Sequence, residues 1–276
     1  MVTAPTATQF CDEMKVNRFH WAIIVLGLSG LTFGGYTLHV LSYVMPGIIQ
    51  EWHLSHVAAG TAVSWGLVGN GLGTVGLGML ADRVGRKSMF ILSLIIYCVF
   101  TGAMGWVHSF GVFSALRFLA GIGIGGATIL NITIASEFAP AKVRARMVTA
   151  MFTGLMIGPV ICGIVSMLVI PTYGWRVILM LNLVPLILVP FLIIFLPESV
   201  RFLVQKGRHE KAVKILRRME KAAHIEPMEW SAESFVLPDV VKKVSVERLF
   251  TSKLAFMTIL IWLAYILNHV ALYGVT

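Results

Sequence analysis

Charged residues divide this chain into seven long uncharged stretches. No Asp, Glu, Lys or Arg occurs in residues 19–50, 52–81, 88–116, 118–136, 147–175, 177–197 and 254–276. The hydrocarbon core of a bilayer is ~30 Å thick, so a helix needs roughly 20 residues to cross it. Only a helix pairs all of its own backbone donors and acceptors in lipid. The sequence therefore predicts an all-α membrane protein, with spans near 21–47, 57–80, 89–107, 111–138, 147–170, 177–196 and 254–276.

Composition supports the bilayer as the main partner of the chain. Hydrophobic residues make up 57% of the sequence, and the mean hydropathy is +0.84. The net charge of +9 raises the possibility of a nucleic-acid partner. The Lys and Arg residues lie in the loops, however, and do not form a face with interleaved aromatic residues. This distribution argues against nucleic acid and is typical of a multi-pass membrane protein.

The distribution of Lys and Arg among the loops predicts the orientation of the spans. The connections at 82–88 and 139–146 are basic, and the stretch 197–253 contains twelve Lys and Arg. The connections at 51–56 and 105–110 contain none. Because basic loops remain on the cytoplasmic side, the N-terminus and the long loop are predicted to be cytoplasmic. The expected location is the inner or plasma membrane of a cell.

Loop lengths predict three parts of the chain. Residues 1–196 form an N-terminal six-helix transmembrane bundle, because the connections within it are short. Residues 197–253 form a central cytoplasmic loop, in which "EKAVKILRRMEK" predicts an amphipathic helix near the membrane surface. Residues 254–276 form a seventh transmembrane helix. Since the sequence stops at the end of this helix, we expect a truncated chain that lacks a C-terminal six-helix half.

The sharpest motif is "GMLADRVGRK", in the loop between the second and third spans. Its key residues are Gly78, Asp82, Arg83, Gly85, Arg86 and Lys87. Gly78 permits a close approach of helices and Gly85 a tight turn. Asp82 is expected to pair with an arginine and to face the positive end of a neighbouring helix. Such a cluster of charges can act as a conformational switch, which holds one state of the protein and releases in another.

This motif resembles the loop signature of the major facilitator superfamily. Three further segments resemble that superfamily: "FSALRFLAGIGIGGA", "EFAPAKVRAR" and "LPESVRFLVQKGR". The resemblance covers roughly residues 15–276. It implies the first half of a twelve-helix secondary transporter, in which two six-helix bundles enclose a central cavity and rock to give alternating access.

Within the superfamily, the chain is most similar to the aromatic acid:proton symporters. The runs "MPGIIQEWHLS" and "GIGIGGATILNITIASEFAP" carry this resemblance. It implies proton-coupled uptake of a small organic anion such as an aromatic carboxylate, with the proton gradient as driving force and no cofactor. That family usually carries D-G-F-D in its first helix, where this chain has Gly34, Gly35, Tyr36 and Thr37. His39 is the nearby side chain able to titrate near neutral pH.

The candidate substrate or coupling residues are Arg117, Tyr36, His39, Asn131 and Glu137. Arg117 lies inside the fourth span, where a charge costs about 2.5–3.5 kcal/mol on insertion scales and needs a partner. Arg117 is expected either to bind an anion or to couple to protons. The alternatives are that it joins helices through backbone carbonyls or extends to the outer face. The resemblance implies that Tyr36 and Asn131 face the cavity and that Glu137 ends the fourth helix.

Three alternative functions compete with import. An exporter is supported by "GLMIGPVICG" in the fifth span, although Pro159 also fits a simple helix bend. A transport-inactive fragment or a membrane sensor fits the expected truncation. An intramembrane enzyme would need a nucleophile–base pair or a cluster of metal ligands. The spacing of His and Ser in the spans provides neither, so the sequence predicts a protein that is not an enzyme and holds no metal.

Overall fold

The computed structural model describes residues 6–226, 228–230, 235, 251 and 254–274. The regular structure of these residues is helical. The helices are α1 (Ala7–Glu13), α2 (Arg18–Trp52), α3 (His56–Val84), α4 (Arg86–Ala103), α5 (Phe110–Phe138), α6 (Arg144–Tyr173), α7 (Trp175–Met180), α8 (Leu188–Phe195), α9 (Val200–Gln205), α10 (His209–Ala223) and α11 (Ala255–Gly274). The predicted all-α fold is confirmed.

Five helical segments of the described chain are long and apolar enough to cross a bilayer. They are Arg18–Trp52, Arg86–Trp106, Phe110–Phe138, Arg144–Tyr173 and Trp175–Phe195. Helix α3 is also long enough, at 29 residues, but its many glycines lower its hydropathy. Each of the first six predicted spans therefore corresponds to a helical segment.

Glycine permits the closest helix contact in the bundle, which is between α3 and α5. A Cβ atom added at Gly73 would lie 2.0 Å from the backbone oxygen of Ile122. One added at Gly125 would lie 2.0 Å from the backbone oxygen of Asn70. The two backbones are thus in direct contact, as small residues allow in membrane helices. Helix α6 packs on α2 in a similar way through Gly154 and Gly158.

The sixth predicted span is not one continuous α-helix. A 3-10 segment, Leu181–Ile187, separates α7 from α8. Pro185 lies inside this segment and cannot donate a backbone hydrogen bond. The Nδ2 group of Asn182 donates to the backbone oxygens of Ile178 and Leu179, at 3.2 and 3.1 Å. These bonds satisfy carbonyls next to the irregular turn.

Helix α10 is the predicted amphipathic helix of the long loop, and its apolar face is covered by protein. Ala212, Leu216 and Met219 are buried, and α10 lies against α9 and α2. Val213 is only half-buried. The apolar face of α10 is therefore buried inside the unit formed by residues 1–236. The sequence predicted the helix near the membrane surface but did not predict these contacts.

Residues 237–276 form a second compact unit. Helix α11 is 20 residues long and begins at Ala255. Its large apolar side chains, such as Phe256 and Trp262, are exposed. An apolar helix with an exposed surface of this kind fits the predicted seventh transmembrane span.

Candidate functional site

Arg117 lies about two turns into α5 and joins this helix to α2. Its Nη1 atom donates to the backbone oxygen of Thr37 and its Nη2 atom to that of Leu38, both at 3.0 Å. The residue is 2% exposed. On α3, Gly66 leaves the space that the arginine stem occupies, since an added Cβ would lie 2.6 Å from Nε. The guanidinium therefore bonds to carbonyls within the bundle and does not extend to the outer face.

Tyr36 lies among α2, α6 and α7. It is 8% exposed and belongs to a cluster of buried side chains with Cys162, Ile178 and Leu179. Its hydroxyl lies 3.5 Å from the backbone oxygen of Ile178. In this arrangement, the ring packs within the bundle, away from an open surface where a substrate ring would stack.

Asn131 also joins α5 to α2, about four helical turns from Arg117. Its Nδ2 group donates to the backbone oxygen of Gly27 at 2.9 Å. Its Oδ1 atom is buried and has no hydrogen-bond partner among the described residues. The side chain borders a small internal cavity together with Ile23, Phe90 and Met151. Asn131 is the one polar side chain in this otherwise apolar lining.

His39 is half-buried on α2, directly after the two residues that Arg117 contacts. Its Nδ1 atom lies 3.1 Å from the backbone oxygen of Gly35, so Nδ1 carries the hydrogen in this contact. The Nε2 atom then remains the site for a second proton. His39 is thus part of the segment of α2 whose backbone oxygens Arg117 contacts from α5.

The conformational-switch loop centres on Arg86, at the end of the bundle that carries the basic loops. We call this end the basic end. The guanidinium of Arg86 forms an ion pair with Glu137 of α5 and lies 3.5 Å from Asp82. The side chains of Arg86 and Glu137 are nearly buried, whereas that of Asp82 is 69% exposed. The motif arginine therefore connects α4 to the end of α5.

Glu198, rather than Asp82, faces the positive N-terminus of a neighbouring helix. Its Oε1 atom accepts hydrogen bonds from the backbone N–H groups of Arg86 (2.8 Å), Lys87 (3.1 Å) and Ser199 (3.0 Å). Arg86 and Lys87 are the first residues of α4, where unpaired N–H groups attract an anion, and Ser199 precedes α9. The prediction for Asp82 was wrong on this point. Asp82 lies in the last turn of α3 and is held beside Arg86 on the exposed side.

The remaining motif residues surround this arrangement. Gly85 has φ of +125°, and a Cβ there would lie 2.5 Å from Glu198 Oε2. Glycine is thus required both by the backbone and by the carboxylate. Lys87 Nζ donates to the backbone oxygen of Ile193 at 2.6 Å. Gly78 faces Ile129 of α5 without a tight contact, and Arg83 is exposed.

A second charged cluster lies at the opposite end of the bundle. Glu51, at the end of α2, forms two 2.6 Å bonds with the guanidinium of Arg176. It also accepts a 2.9 Å bond from Trp175 Nε1, and His108 Nδ1 lies 3.5 Å from Arg176. The sequence analysis did not identify this pair. The sequence signal for it is that Glu51 and Arg176 are isolated charges in otherwise uncharged loops.

The sugar (and other) transporter family matches residues 9–271 of the chain. The chain belongs to this family. The predicted resemblance to the major facilitator superfamily is thereby confirmed, and members of this superfamily are transporters rather than enzymes.

Two relatives of this chain show the degree of similarity. The benzoate transport protein of Acinetobacter baylyi is 31% identical over 274 residues, which cover 96% of this chain and 58% of that protein. The 4-hydroxybenzoate transporter PcaK of the same species is 31% identical over 272 residues, which cover 98% of this chain and 60% of that protein. The chain thus spans about 60% of the length of these relatives.

A solved structure supports the transporter fold. The proton:xylose symporter XylE, of the major facilitator superfamily, matches with a TM-score of 0.66 at 22% identity. The match covers 73% of this chain and 50% of the symporter. This likeness shows the arrangement of the helices and leaves the substrate to be argued from other observations.

Proposed function

We propose that this chain forms the N-terminal half of a secondary active transporter for a small organic anion, such as an aromatic carboxylate. The observation that carries the proposal is the 31% identity to benzoate and 4-hydroxybenzoate transporters. A gallate transporter of Pseudomonas putida is also 31% identical, over 95% of the chain. Benzoate, 4-hydroxybenzoate and gallate share an aromatic ring with a carboxylate.

Arg117 is the residue that we assign to the anion. It places a positively charged side chain between α5 and α2, where its guanidinium donates to two backbone oxygens. An arginine fork matches the geometry of a carboxylate. In this proposal, the guanidinium attracts an anion that enters the bundle.

Proton coupling falls to His39 in this proposal. Related transporters are expected to carry aspartates in the first helix, where this chain has Gly34 and Thr37. His39 lies one turn further on, with Nε2 able to accept a proton. Protonation there would place a second positive charge near the segment of α2 that Arg117 contacts.

The pairs of the basic end form the conformational switch. Arg86 and Glu137 join α4 to α5, and Glu198 joins α4 to the start of the central loop. Breaking these bonds would separate the loop from the bundle. We place this end in the cytoplasm, on the basis of its Lys and Arg residues. A second six-helix half, supported by the length of the relatives, would complete the cavity.

Uptake of labelled 4-hydroxybenzoate into energised cells tests this function. We would express residues 1–276 alone and joined to the C-terminal half of a relative, each with and without a protonophore. We expect protonophore-sensitive uptake only from the joined chain. Uptake that resists the protonophore would contradict proton coupling. Efflux of preloaded substrate without uptake would favour the exporter, and inactivity of both chains would favour a fragment without transport.

A matched pair of histidine variants tests the coupling residue. In the joined chain, we expect His39→Asn to reduce proton-driven uptake at least tenfold while exchange of substrate across the membrane continues. His56→Asn is the control, because His56 is exposed at the first residue of α3. Equal effects of the two changes would remove His39 from the coupling mechanism.

A further inference from the structure

The N-terminal tail contains a short helix that is docked on the protein. Helix α1 spans only Ala7–Glu13, and a capping box of Thr6 and Gln9 begins it. Ala7, Phe10 and Cys11 are buried, and so is Met14 just after the helix. This spacing places all four on one face. The tail is therefore packed as an amphipathic helix.

A helix of seven residues does not persist alone in water. Isolated helices shorter than about 12–15 residues are marginal, because nucleation is costly. The helical state of α1 thus depends on the surfaces that cover Phe10 and Cys11. Undocking and unfolding of this segment are expected to occur together, as an order–disorder transition.

Two contacts attach α1 to the loop between α5 and α6. Asp12 forms an ion pair with Arg144 at the start of α6. The backbone oxygen of Asp12 accepts a 3.0 Å hydrogen bond from the backbone N–H of Ala141. These contacts place the tail beside the loop that follows α5. This loop begins directly after the helix turn that carries Glu137 of the switch cluster.

A third contact attaches α1 to the central loop. The rings of Phe10 and Trp230 meet edge to face, with centroids 5.2 Å apart. Trp230 is itself held by α10, because its Nε1–H donates to Glu220 Oε1 at 2.9 Å. The same oxygen accepts the backbone N–H of Met228 at 3.2 Å. Glu220 is 2% exposed, so this carboxylate is committed to fixing the segment 228–230.

We propose that α1 is a strap that docks and releases together with the central-loop segment 228–230, through the contact between Phe10 and Trp230. The strap joins the N-terminal tail, the α5–α6 loop and the central loop at the basic end. Its release would loosen the loop that connects this bundle to the rest of a transporter. This device is separate from the proposed substrate and coupling residues.

Alkylation of native Cys11 provides the test. Burial raises the pKa of the Cys11 thiol to about 12, with the neighbouring Asp12 carboxylate acting in the same direction. Both effects slow its reaction with N-ethylmaleimide at pH 7.5 while α1 is docked. Cys98 and Cys162 are fully buried among the spans and report any general unfolding.

We would compare Trp230→Ala with Trp106→Ala in the full chain. Trp106 is an exposed tryptophan of the opposite end. We expect Trp230→Ala to raise the alkylation rate of Cys11 at least tenfold, with Cys98, Cys162 and the Trp106→Ala control unchanged. A Cys11 rate within twofold of wild type would overturn the strap. Trp230→Phe keeps a ring but not the Nε1–H donor, and is expected to give an intermediate rate.

The coupling must also operate in the reverse direction, because linkage between two segments is reciprocal. We expect Phe10→Ala to speed hydrogen exchange of the Met228 amide, which donates to Glu220. Val16→Ala, a change at a more exposed residue of the same tail, is the control. This measurement decides the proposal if Trp230→Ala unfolds the whole chain. Unchanged exchange in Phe10→Ala would show that α1 docks independently of the loop.

Discussion

At the scale of single residues, Arg117 shows how a charge is accommodated within a helical bundle. Its two terminal nitrogens each reach a different backbone oxygen of α2. A planar fork is needed for this, since the two acceptors belong to consecutive residues. Lysine has a single nitrogen and a more strongly hydrated charge. The charge of Arg117 and the planar shape of its guanidinium therefore make separate contributions to the contact with α2.

This separation gives a prediction for Arg117→Lys. The change keeps the positive charge but removes one of the two bonds to α2, so we expect the protein to lose about 1–3 kcal/mol of stability. Uptake by the joined chain is expected to fall at least tenfold, because a lysine does not bind a carboxylate as a fork. Thermal unfolding in detergent and uptake of labelled substrate measure the two effects.

Arg18→Lys is the control for this change, because Arg18 is exposed at the first residue of α2. It is expected to leave both measurements near wild type. If Arg117→Lys lowered stability and left uptake intact, the residue would hold helices together without a role for the substrate.

The charge pattern predicted which loops are basic but not which carboxylate accepts hydrogen bonds from the start of each helix. The motif placed Asp82 near Arg86 correctly, as an i, i+4 pair on the exposed side. The acceptor at the start of α4 is Glu198, which lies more than a hundred residues away in sequence. Such a partner depends on how α8 returns to the basic end, and local spacing carries no information about this.

At the scale of helices, the contact between α3 and α5 depends on the absence of side chains at a few positions. Gly73 faces the backbone of Ile122, whereas Gly71, two residues earlier on the same helix, has nothing within 4 Å of an added Cβ. The two glycines differ in surroundings but share a helix. They form a natural matched pair.

We expect Gly73→Val to lower the apparent melting temperature in detergent clearly more than Gly71→Val. A side chain at Gly73 must push α3 away from α5, and overpacking of this kind costs about 1–3 kcal/mol. Gly71→Val adds a side chain to open space and is expected to change stability little. Equal melting temperatures for the two variants would mean that α3 and α5 are not in backbone contact.

Helix positions were largely predictable, and two irregular elements were not. The uncharged stretches located α2 to α6 because the length of a span is imposed by the bilayer. Helix α1 escaped prediction because its apolar spacing covers only about two turns. The break between α7 and α8 escaped because Pro185 lies in a stretch that is apolar throughout. Both elements depend on tertiary contacts.

At the scale of the whole molecule, the two ends of the bundle have different charge clusters. The basic end connects loops through Arg86, Glu137 and Glu198. Among the residues that the structure describes, the ion pair at the opposite end is that of Glu51 and Arg176. The asymmetry of basic residues predicts that the basic end faces the cytoplasm.

Cysteine substitution tests this orientation in intact cells. Val57→Cys lies at the opposite end and Val57 is 81% exposed, while Lys206→Cys lies at the exposed end of α9. We expect a membrane-impermeant maleimide to label Val57→Cys but to label Lys206→Cys only after the cells are opened. All three native cysteines are buried, so the background is low. Labelling of Lys206→Cys alone in intact cells would show that the orientation is the opposite of the predicted one.

Anchoring of the central loop by Glu198 and Glu220 also changes its effective length as a tether. Glu198 attaches the chain to α4 as it leaves the sixth span, and Glu220 fixes Trp230 further along. A second bundle linked through this loop would be tethered from Trp230 rather than from the end of α8. A shorter tether raises the effective concentration of its two ends steeply. The local concentration of one bundle at the other would then depend on whether these two carboxylates keep their hydrogen bonds.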